Sequence, residues 1–424
     1  MVVLSSLAVL LGLFHVYSVA QAAIVTVDLT SDFKKNNASA KWAPGHPVEW
    51  RSSADEIMFE WPLQLQYAGR FTGHVTNDAK FLIMANESYA QVVSLDTRKS
   101  VSTFALNYLS RGEGRMTSIY VGNGYDVIIS GVDYTINPAT EATVTFRLSA
   151  NGTIAGPQTV LPGSFTNVDK ELLHRKSRFV LTNNEGKNVA YVHDLNNPNT
   201  TLTLSGHRDA IISAAWAPYG RYIATAAWDG IMKLWDEVTG KELYSFPSTN
   251  AQNWLTRFSP DGQYFLYTAG NGDGRGVYIY NMDDLNLTTG APPPEPWLIK
   301  ADNWVRSGEF SPQGDYVAFA SYGLVEVYRT SDRQLVQRWA AEDKTGFEVT
   351  DITWIAGSKR LAFRAYGGLE MYDFETNLKY RWGPGEMDHF DAGVAEGSTF
   401  TPLNRGWIGG RESDSTFKFW KYPA

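Results

Sequence analysis

Apolar and polar positions recur along the chain as an apolar strand, a polar turn and a second apolar strand. Eight such units follow one another at intervals of 42 to 52 residues. Within them the residues alternate with the two-residue period of a β-strand, as in Val325-Glu326-Val327-Tyr328. A unit this short cannot bury its own apolar faces and needs a neighbour stacked on each side. The pattern therefore predicts an all-β repeat protein.

Two markers recur with one period and set the register of the units. The first is a turn after the inner strand, seen at residues 217–220, 259–262 and 311–314 and in weaker form at 355–358 and 401–404. Its Pro and Gly residues favour the tight turn between antiparallel strands. The second marker is an aromatic residue that ends the third strand, at Trp235, Tyr280, Tyr328, Tyr372 and Trp420. Because the two markers agree, the sequence disfavours any fold without repeats.

One unit, LSGHRDAIISAAWAPYGRYIATAAWDGIMKLWD at residues 204–236, resembles a WD40 repeat. The resemblance implies a β-propeller of four-stranded antiparallel blades. The count of units favours eight blades, and seven, the commoner number in the family, is the alternative. The resemblance also implies that His207, Thr225, Asp229 and Trp235 form a buried hydrogen-bond network inside one blade, so we expect these four residues to be structural.

The last unit ends at Ala424, after only three strands. A propeller whose final blade lacks its outer strand takes that strand from the N-terminus, which leaves no open sheet edge. We expect residues 62–67 to be this closing strand and to pair with residues 416–421. The predicted organisation is a signal peptide at 1–23, an N-terminal extension at 24–61 and the propeller at 62–424.

The N-terminal 23 residues carry no charged side chain and end in the small-x-small pattern of a signal peptidase site, Ala20-Gln21-Ala22. An uncleaved signal-anchor helix is the alternative. Five N-x-[ST] sequons agree with secretion and predict glycosylation at Asn37, Asn86, Asn151, Asn199 and Asn286. These features predict a secreted glycoprotein.

Composition narrows the partners and the chemistry. The net charge of −8 argues against binding to nucleic acid or to an anionic membrane. The chain has no Cys, which excludes disulfides, thiolate metal sites and a Cys nucleophile.

The Gly-rich run at 270–276 is interpreted as a long hairpin turn, because a strand and not a helix follows it. The cluster of Glu386, Asp388, His389 and Asp391 has the ligands of a divalent metal, but we interpret it as a solvated loop. No catalytic residue, metal or cofactor is predicted.

Aromatic residues on one rim are the candidate ligand-binding set: Trp228, Trp254, Trp304, Tyr322 and Tyr366. Such side chains offer large contact area with a polar handle. The alternative is that these rings only pack between neighbouring blades. Three sequons, at Asn151, Asn199 and Asn286, fall on the opposite face and would shield it, so the aromatic face, called the top face, is expected to bind.

The leading functional hypothesis is a monomeric, secreted, non-enzymatic propeller that binds an extracellular protein or glycan through the top face. A third hypothesis, an intracellular scaffold, requires that the apolar N-terminus is not a leader. The rival hypothesis is an enzyme with its active site in the central channel. Its candidate residues are the inner-strand charges Arg257, Arg306, Glu309 and Asp351.

Overall fold

The computed structural model describes residues 25–28, 55–58, 72–106, 115–165, 173–340, 349–382, 401–403, 407–411 and 416–421, with short gaps inside the longer ranges. Over these residues the regular structure consists of β-strands and one 3₁₀-helix, Met282–Asp284. The fold is therefore all-β, as the alternating pattern predicts.

The strands assemble into sheets that we number in chain order. Sheet 1 contains β3 (Thr72–Val75), β4 (Phe81–Ala85), β5 (Tyr89–Ser94) and β6 (Ser100–Ala105). Sheet 2 contains β7 (Arg115–Val121), β8 (Asp126–Asp133), β9 (Thr140–Arg147) and β10 (Thr159–Pro162). Sheet 3 contains β11 (Leu173–His174), β12 (Arg178–Asn183), β13 (Val189–Asp194) and β14 (Thr201–Ser205). Sheet 4 contains β15 (Ile211–Trp216), β16 (Tyr222–Ala227), β17 (Met232–Asp236) and β18 (Glu242–Ser245).

The second half of the chain continues the series. Sheet 5 contains β19 (Asn253–Phe258), β20 (Tyr264–Ala269), β21 (Gly276–Asn281) and β22 (Trp297–Lys300). Sheet 6 contains β23 (Val305–Phe310), β24 (Tyr316–Ser321), β25 (Leu324–Arg329) and β26 (Leu335–Ala340). Sheet 7 contains β27 (Val349–Ile355), β28 (Arg360–Ala365), β29 (Gly368–Asp373) and β30 (Leu378–Trp382). Sheet 8 contains β31 (Thr401–Leu403), β32 (Trp407–Arg411) and β33 (Thr416–Lys421).

The core lies between consecutive sheets, and sheets 2 to 5 bury both of their faces. Ala215 of sheet 4 packs in one cluster with Phe258 and Tyr267 of sheet 5. Leu266, on the other face of sheet 5, packs with Phe319 of sheet 6. Equivalent clusters join sheets 1 and 2, sheets 2 and 3, and sheets 3 and 4. Sheets stacked face to face around their inner strands are the architecture of a propeller, and the predicted fold class is confirmed. The described strands form eight sheets; a closed ring of eight blades stays a prediction.

A β-bulge recurs at the start of the inner strand. The register between the first two strands shifts at Ile211/Ser213 in sheet 4, at Asn253/Leu255 in sheet 5 and at Val305/Ser307 in sheet 6. A bulge bends the strand and changes the direction of the side chains next to it. The bend falls at the rim where the tryptophans of the candidate site lie.

The N-terminal segment belongs to two sheets. Strand β2 (Asp55–Met58) pairs antiparallel with β33 and gives sheet 8 its fourth strand, with Asp55 opposite Phe419. An N-terminal strand therefore does complete sheet 8, but the assignment of that strand to residues 62–67 is wrong. Those residues lie outside the described part of the chain. Strand β1 (Val25–Asp28) pairs parallel with β26 and gives sheet 6 a fifth strand. The predicted extension at 24–61 thus contributes strands to the propeller.

Candidate functional site

The WD40-like unit contains a buried chain of hydrogen bonds that crosses sheet 4. The indole Nε1 of Trp235 donates to Thr225 Oγ1 at 2.8 Å. The same hydroxyl lies 2.8 Å from His207 Nε2, and His207 Nδ1 lies 3.0 Å from Asp229 Oδ2. Because the hydroxyl accepts from the indole, its own proton is free to go to Nε2, which leaves Nδ1–H to donate to the carboxylate. The structure therefore joins all four residues that the WD40 resemblance singles out.

Asp229 is the acceptor at the end of this network. Besides His207 it accepts from the backbone N–H of Arg208 at 2.9 Å and of Ile231 at 2.9 Å. Burial of the carboxyl raises its pKa, but these hydrogen bonds outweigh burial and hold the pKa of Asp229 below its usual value of 3.8. The side chains of His207 and Asp229 are 0% and 5% exposed. A pair this buried cannot reach a ligand, so the geometry favours a structural role.

Three of the predicted rim aromatics form a continuous row of ring contacts across three sheets. Trp228 lies in the hairpin between β16 and β17, Trp254 is the second residue of β19, and Trp304 precedes β23. The ring centroids of Trp228 and Trp254 are 5.3 Å apart in an edge-to-face arrangement, and those of Trp254 and Trp304 are 5.6 Å apart and stacked. All three side chains are half-buried. The rings therefore pack between sheets, as the alternative interpretation holds, and still present part of their surface at the rim.

Arg306 completes this row and was missed as a member of it. Its guanidinium carbon lies 4.9 Å from the ring centroid of Trp254 and 4.7 Å from that of Trp304. A guanidinium over an indole face is attracted by the negative charge of the ring face. Trp304 precedes β23 and the register shifts between Val305 and Ser307, so two-residue alternation by itself could not have revealed the contact. We call Trp228, Trp254, Trp304 and Arg306 the tryptophan cluster.

The Gly-rich hairpin between β20 and β21 supports the cluster. A Cβ built on Gly270 would lie 2.2 Å from Nε1 of Trp254, so only glycine lets the indole pack there. Asn271 Oδ1 accepts from the backbone N–H of Gln252 at 2.9 Å, which ties the hairpin to the segment before Trp254. The run is therefore a hairpin that positions an indole and does not resemble a phosphate cradle.

Only some of the remaining candidates, those of the top face, the acidic cluster and the central channel, lie in the described part of the chain. Tyr322 and Tyr366 lie outside the described residues, as do Glu386, Asp388, His389 and Asp391. Over the described part of the chain no group of three or more His, Cys, Asp or Glu side chains could hold a metal ion. Of the four channel candidates, Arg306 belongs to the tryptophan cluster, and Glu309 accepts a 3.3 Å hydrogen bond at its carbonyl from Trp354. Arg257 is buried in β19, and the side chain of Asp351 is outside the description.

Two of the five sequon asparagines can be placed. Asn151 and Asn286 are exposed in the connections between third and fourth strands of sheets 2 and 5, on the rim opposite the tryptophan cluster. Asn37, Asn86 and Asn199 lie outside the described residues. The described residues contain no helix that is both long and apolar enough to cross a membrane.

Comparison with known proteins supports a WD40 β-propeller. Residues 198–236 match the family "WD domain, G-beta repeat". The chain is 37% identical over 67 residues to WD repeat-containing protein AAC3 of Dictyostelium discoideum, covering 16% of this chain and 14% of that protein. It is 26% identical over 180 residues to coronin-7 of Rattus norvegicus, covering 41% and 19%. Small ribosomal subunit protein RACK1z of Arabidopsis thaliana is 31% identical over 93 residues, covering 22% and 27%. The matches thus span between about a seventh and a quarter of each relative.

The predicted localisation is wrong. Coronin-7 and RACK1z, the latter a ribosomal subunit protein by name, are intracellular WD-repeat proteins, which contradicts the prediction of a secreted protein. The residue patterns behind the prediction, an apolar N-terminus and N-x-[ST] triplets, need no secretion to occur, because both are short and of low information content. The argument that glycans shield one face depended on secretion and falls with it. The choice of face now rests on the tryptophan cluster.

Proposed function

We propose that this protein is a non-enzymatic scaffold that binds a protein partner at the rim formed by the tryptophan cluster. WD-repeat proteins are typically interaction scaffolds of this kind. The observation that supports the site is the row of three half-buried indoles in contact, with a guanidinium over two of them, that spans sheets 4, 5 and 6. Trp and Arg dominate the binding energy of protein interfaces when they are held rigidly and partly desolvated.

The cluster has the preorganisation that such a contact needs. Each ring is held by a neighbouring ring, and Trp254 is additionally held by the backbone at Gly270. A side chain that is already ordered loses little conformational entropy when a partner docks on it. The rim therefore offers contact area at low entropic cost.

The test compares Trp304→Ala with Trp297→Ala. Trp297 is a matched control because it is also partly buried and also lies under a guanidinium, with the carbon of Arg333 5.7 Å from its ring, but it sits on the outer strand β22. Partners captured by the wild-type chain in cells are quantified by mass spectrometry, and the strongest is titrated against both purified variants. We expect Trp304→Ala to weaken binding by at least about tenfold, the loss typical of a hot-spot residue, and Trp297→Ala to bind like the wild type.

Thermal melts of both variants separate binding from folding. Equal binding by the two variants, with both folded, contradicts the proposed site. An undiminished partner list for a variant that lacks all three indoles of the cluster contradicts a role of this rim in binding.

A further inference from the structure

The connection between the third and fourth strands of sheet 5 is longer than in the two neighbouring sheets. It runs over residues 282–296, whereas the same connection occupies residues 237–241 in sheet 4 and 330–334 in sheet 6. It lies on the rim opposite the tryptophan cluster. Long connections on the surface of a rigid scaffold frequently carry binding functions.

Proline dominates the end of this connection. Four of the five residues at 292–296, Pro-Pro-Pro-Glu-Pro, are proline. The pyrrolidine ring fixes φ at about −65° and a following proline keeps the preceding residue extended. Together these constraints favour a polyproline II helix. In the structure, residues 293–296 lie in neither a strand nor a 3₁₀-helix, and we call them the proline segment.

Contacts at both ends hold the proline segment in place. The hydroxyl of Tyr244, a buried residue of β18 in sheet 4, donates to the carbonyl oxygen of Ala291 at 2.5 Å. At the other end the chain enters β22 with Trp297, which stands opposite Ile279 of β21. A segment that is already ordered loses little conformational entropy when a partner binds. The fold therefore preorganises the prolines.

The middle of the proline segment faces solvent. Pro294 and Glu295 are exposed, and Pro293 and Pro296 are half-buried. Because a polyproline II helix has about three residues per turn, Pro293 and Pro296 share one edge, and Pro294 and Glu295 occupy the other two. One edge thus lies toward the protein, and the other two are accessible to a partner.

We propose that the proline segment binds a partner domain whose groove is lined with aromatic side chains and recognises a polyproline II helix. Such grooves bind proline-rich segments because the preformed helix costs little entropy to order. This helix makes no internal hydrogen bonds, so its carbonyl oxygens can accept from donors in the groove. The exposed carboxylate of Glu295 favours a groove with a basic side chain at its edge. The site is independent of the tryptophan cluster.

Binding is measured by biolayer interferometry between the whole protein and an array of purified SH3 and WW domains. We expect at least one domain to bind the wild-type protein and a decaproline peptide to compete for it. Replacing Pro293, Pro294 and Pro296 together by alanine should weaken binding at least about tenfold. Glu295→Lys should also weaken binding, and its difference from wild type should shrink as salt is added.

Pro312→Ala is the matched control, because Pro312 is also exposed and lies on the same rim, but is a single proline in the turn between β23 and β24. It should bind like the wild type, as should Trp304→Ala. If the triple variant melts at a lower temperature, Pro294→Ala at an exposed position carries the test by itself. The proposal is overturned if no domain of the array binds the wild type, if decaproline does not compete, or if the proline variants bind like the wild type. It is also overturned if Trp304→Ala loses the binding, since the tryptophan cluster would then be the contact.

Discussion

Replacing Asp229 by alanine tests whether the buried network of sheet 4 is structural. The carboxylate accepts three hydrogen bonds, from His207, Arg208 and Ile231. Leaving the buried imidazole of His207 without its acceptor costs about 1–3 kcal/mol, and the part-buried amide of Ile231 adds about 1 kcal/mol. The amide of Arg208 is exposed, so water replaces the carboxylate there at little cost. The expected loss in the free energy of unfolding is about 3 kcal/mol.

The assay is equilibrium unfolding in urea, in which a change in stability moves the midpoint without changing the slope. Asp229→Asn keeps one acceptor oxygen and should lose about half as much stability as Asp229→Ala. Combined with His207→Ala, the Asp229→Ala change should show a coupling free energy of about 1–2 kcal/mol, because the two side chains share one bond.

The penalty should also depend on pH. Since the pKa of Asp229 is held below 3.8 in the folded protein, its ionised form stabilises the fold above that pH. This contribution is lost as the pH falls from 3.8 through the lower pKa that Asp229 has in the folded protein. The difference in stability between Asp229→Ala and wild type should therefore decrease in acid. A variant that unfolds like wild type at neutral pH yet fails to bind the partner would refute the structural interpretation.

Two further perturbations probe the core and the rim. Burial lowers the pKa of His193 from 6.5 to about 4, a difference that corresponds to about 3 kcal/mol, so stability should be full above pH 6.5 and fall as the pH drops toward 4. His193→Phe should reduce this loss of stability with falling pH, measured by urea unfolding at a series of pH values. A pH dependence equal to that of the wild type would contradict the prediction. Some dependence should remain in the variant, because His74, whose pKa is also lowered to about 4, is present in both proteins. Gly270→Ala should push the indole of Trp254 aside, change the near-ultraviolet circular dichroism and reduce partner binding at least about tenfold. Gly308→Ala, where the nearest atom lies at 3.4 Å, should do neither, and equal spectra for the two variants would count against the packing described here.

Local sequence patterns are sufficient to predict much of the architecture. Two-residue alternation and recurring Pro-Gly turns predict a β-repeat protein, the WD40 resemblance implies four-stranded antiparallel blades, and the structure has such sheets. His207, Thr225, Asp229 and Trp235 could be named in advance because the unit that contains them resembles a WD40 repeat, and the structure joins them by hydrogen bonds. Information of this kind is local: every residue involved lies within one repeat.

Contacts between distant segments were decided by the tertiary structure. Alternation in residues 62–67 looks as suitable for closing sheet 8 as that in β2, and only the fold selects Asp55–Met58 for β33. The same holds for β1 on the edge of sheet 6. A strand's own pattern specifies which face is apolar and not which edge it will join, because backbone hydrogen bonding is the same for any partner strand.

The candidate sites show the same division. The sequence by itself predicts that tryptophans gather near one rim, since Trp254 and Trp304 lie at or just before the start of successive inner strands and Trp228 lies in a hairpin at the same end of its sheet. Only the packed structure decided that their rings are in contact and that Arg306 lies over two of them. The physical reason is that contacts between rings and with a guanidinium depend on the separation and tilt of neighbouring sheets, which the strand pattern leaves open.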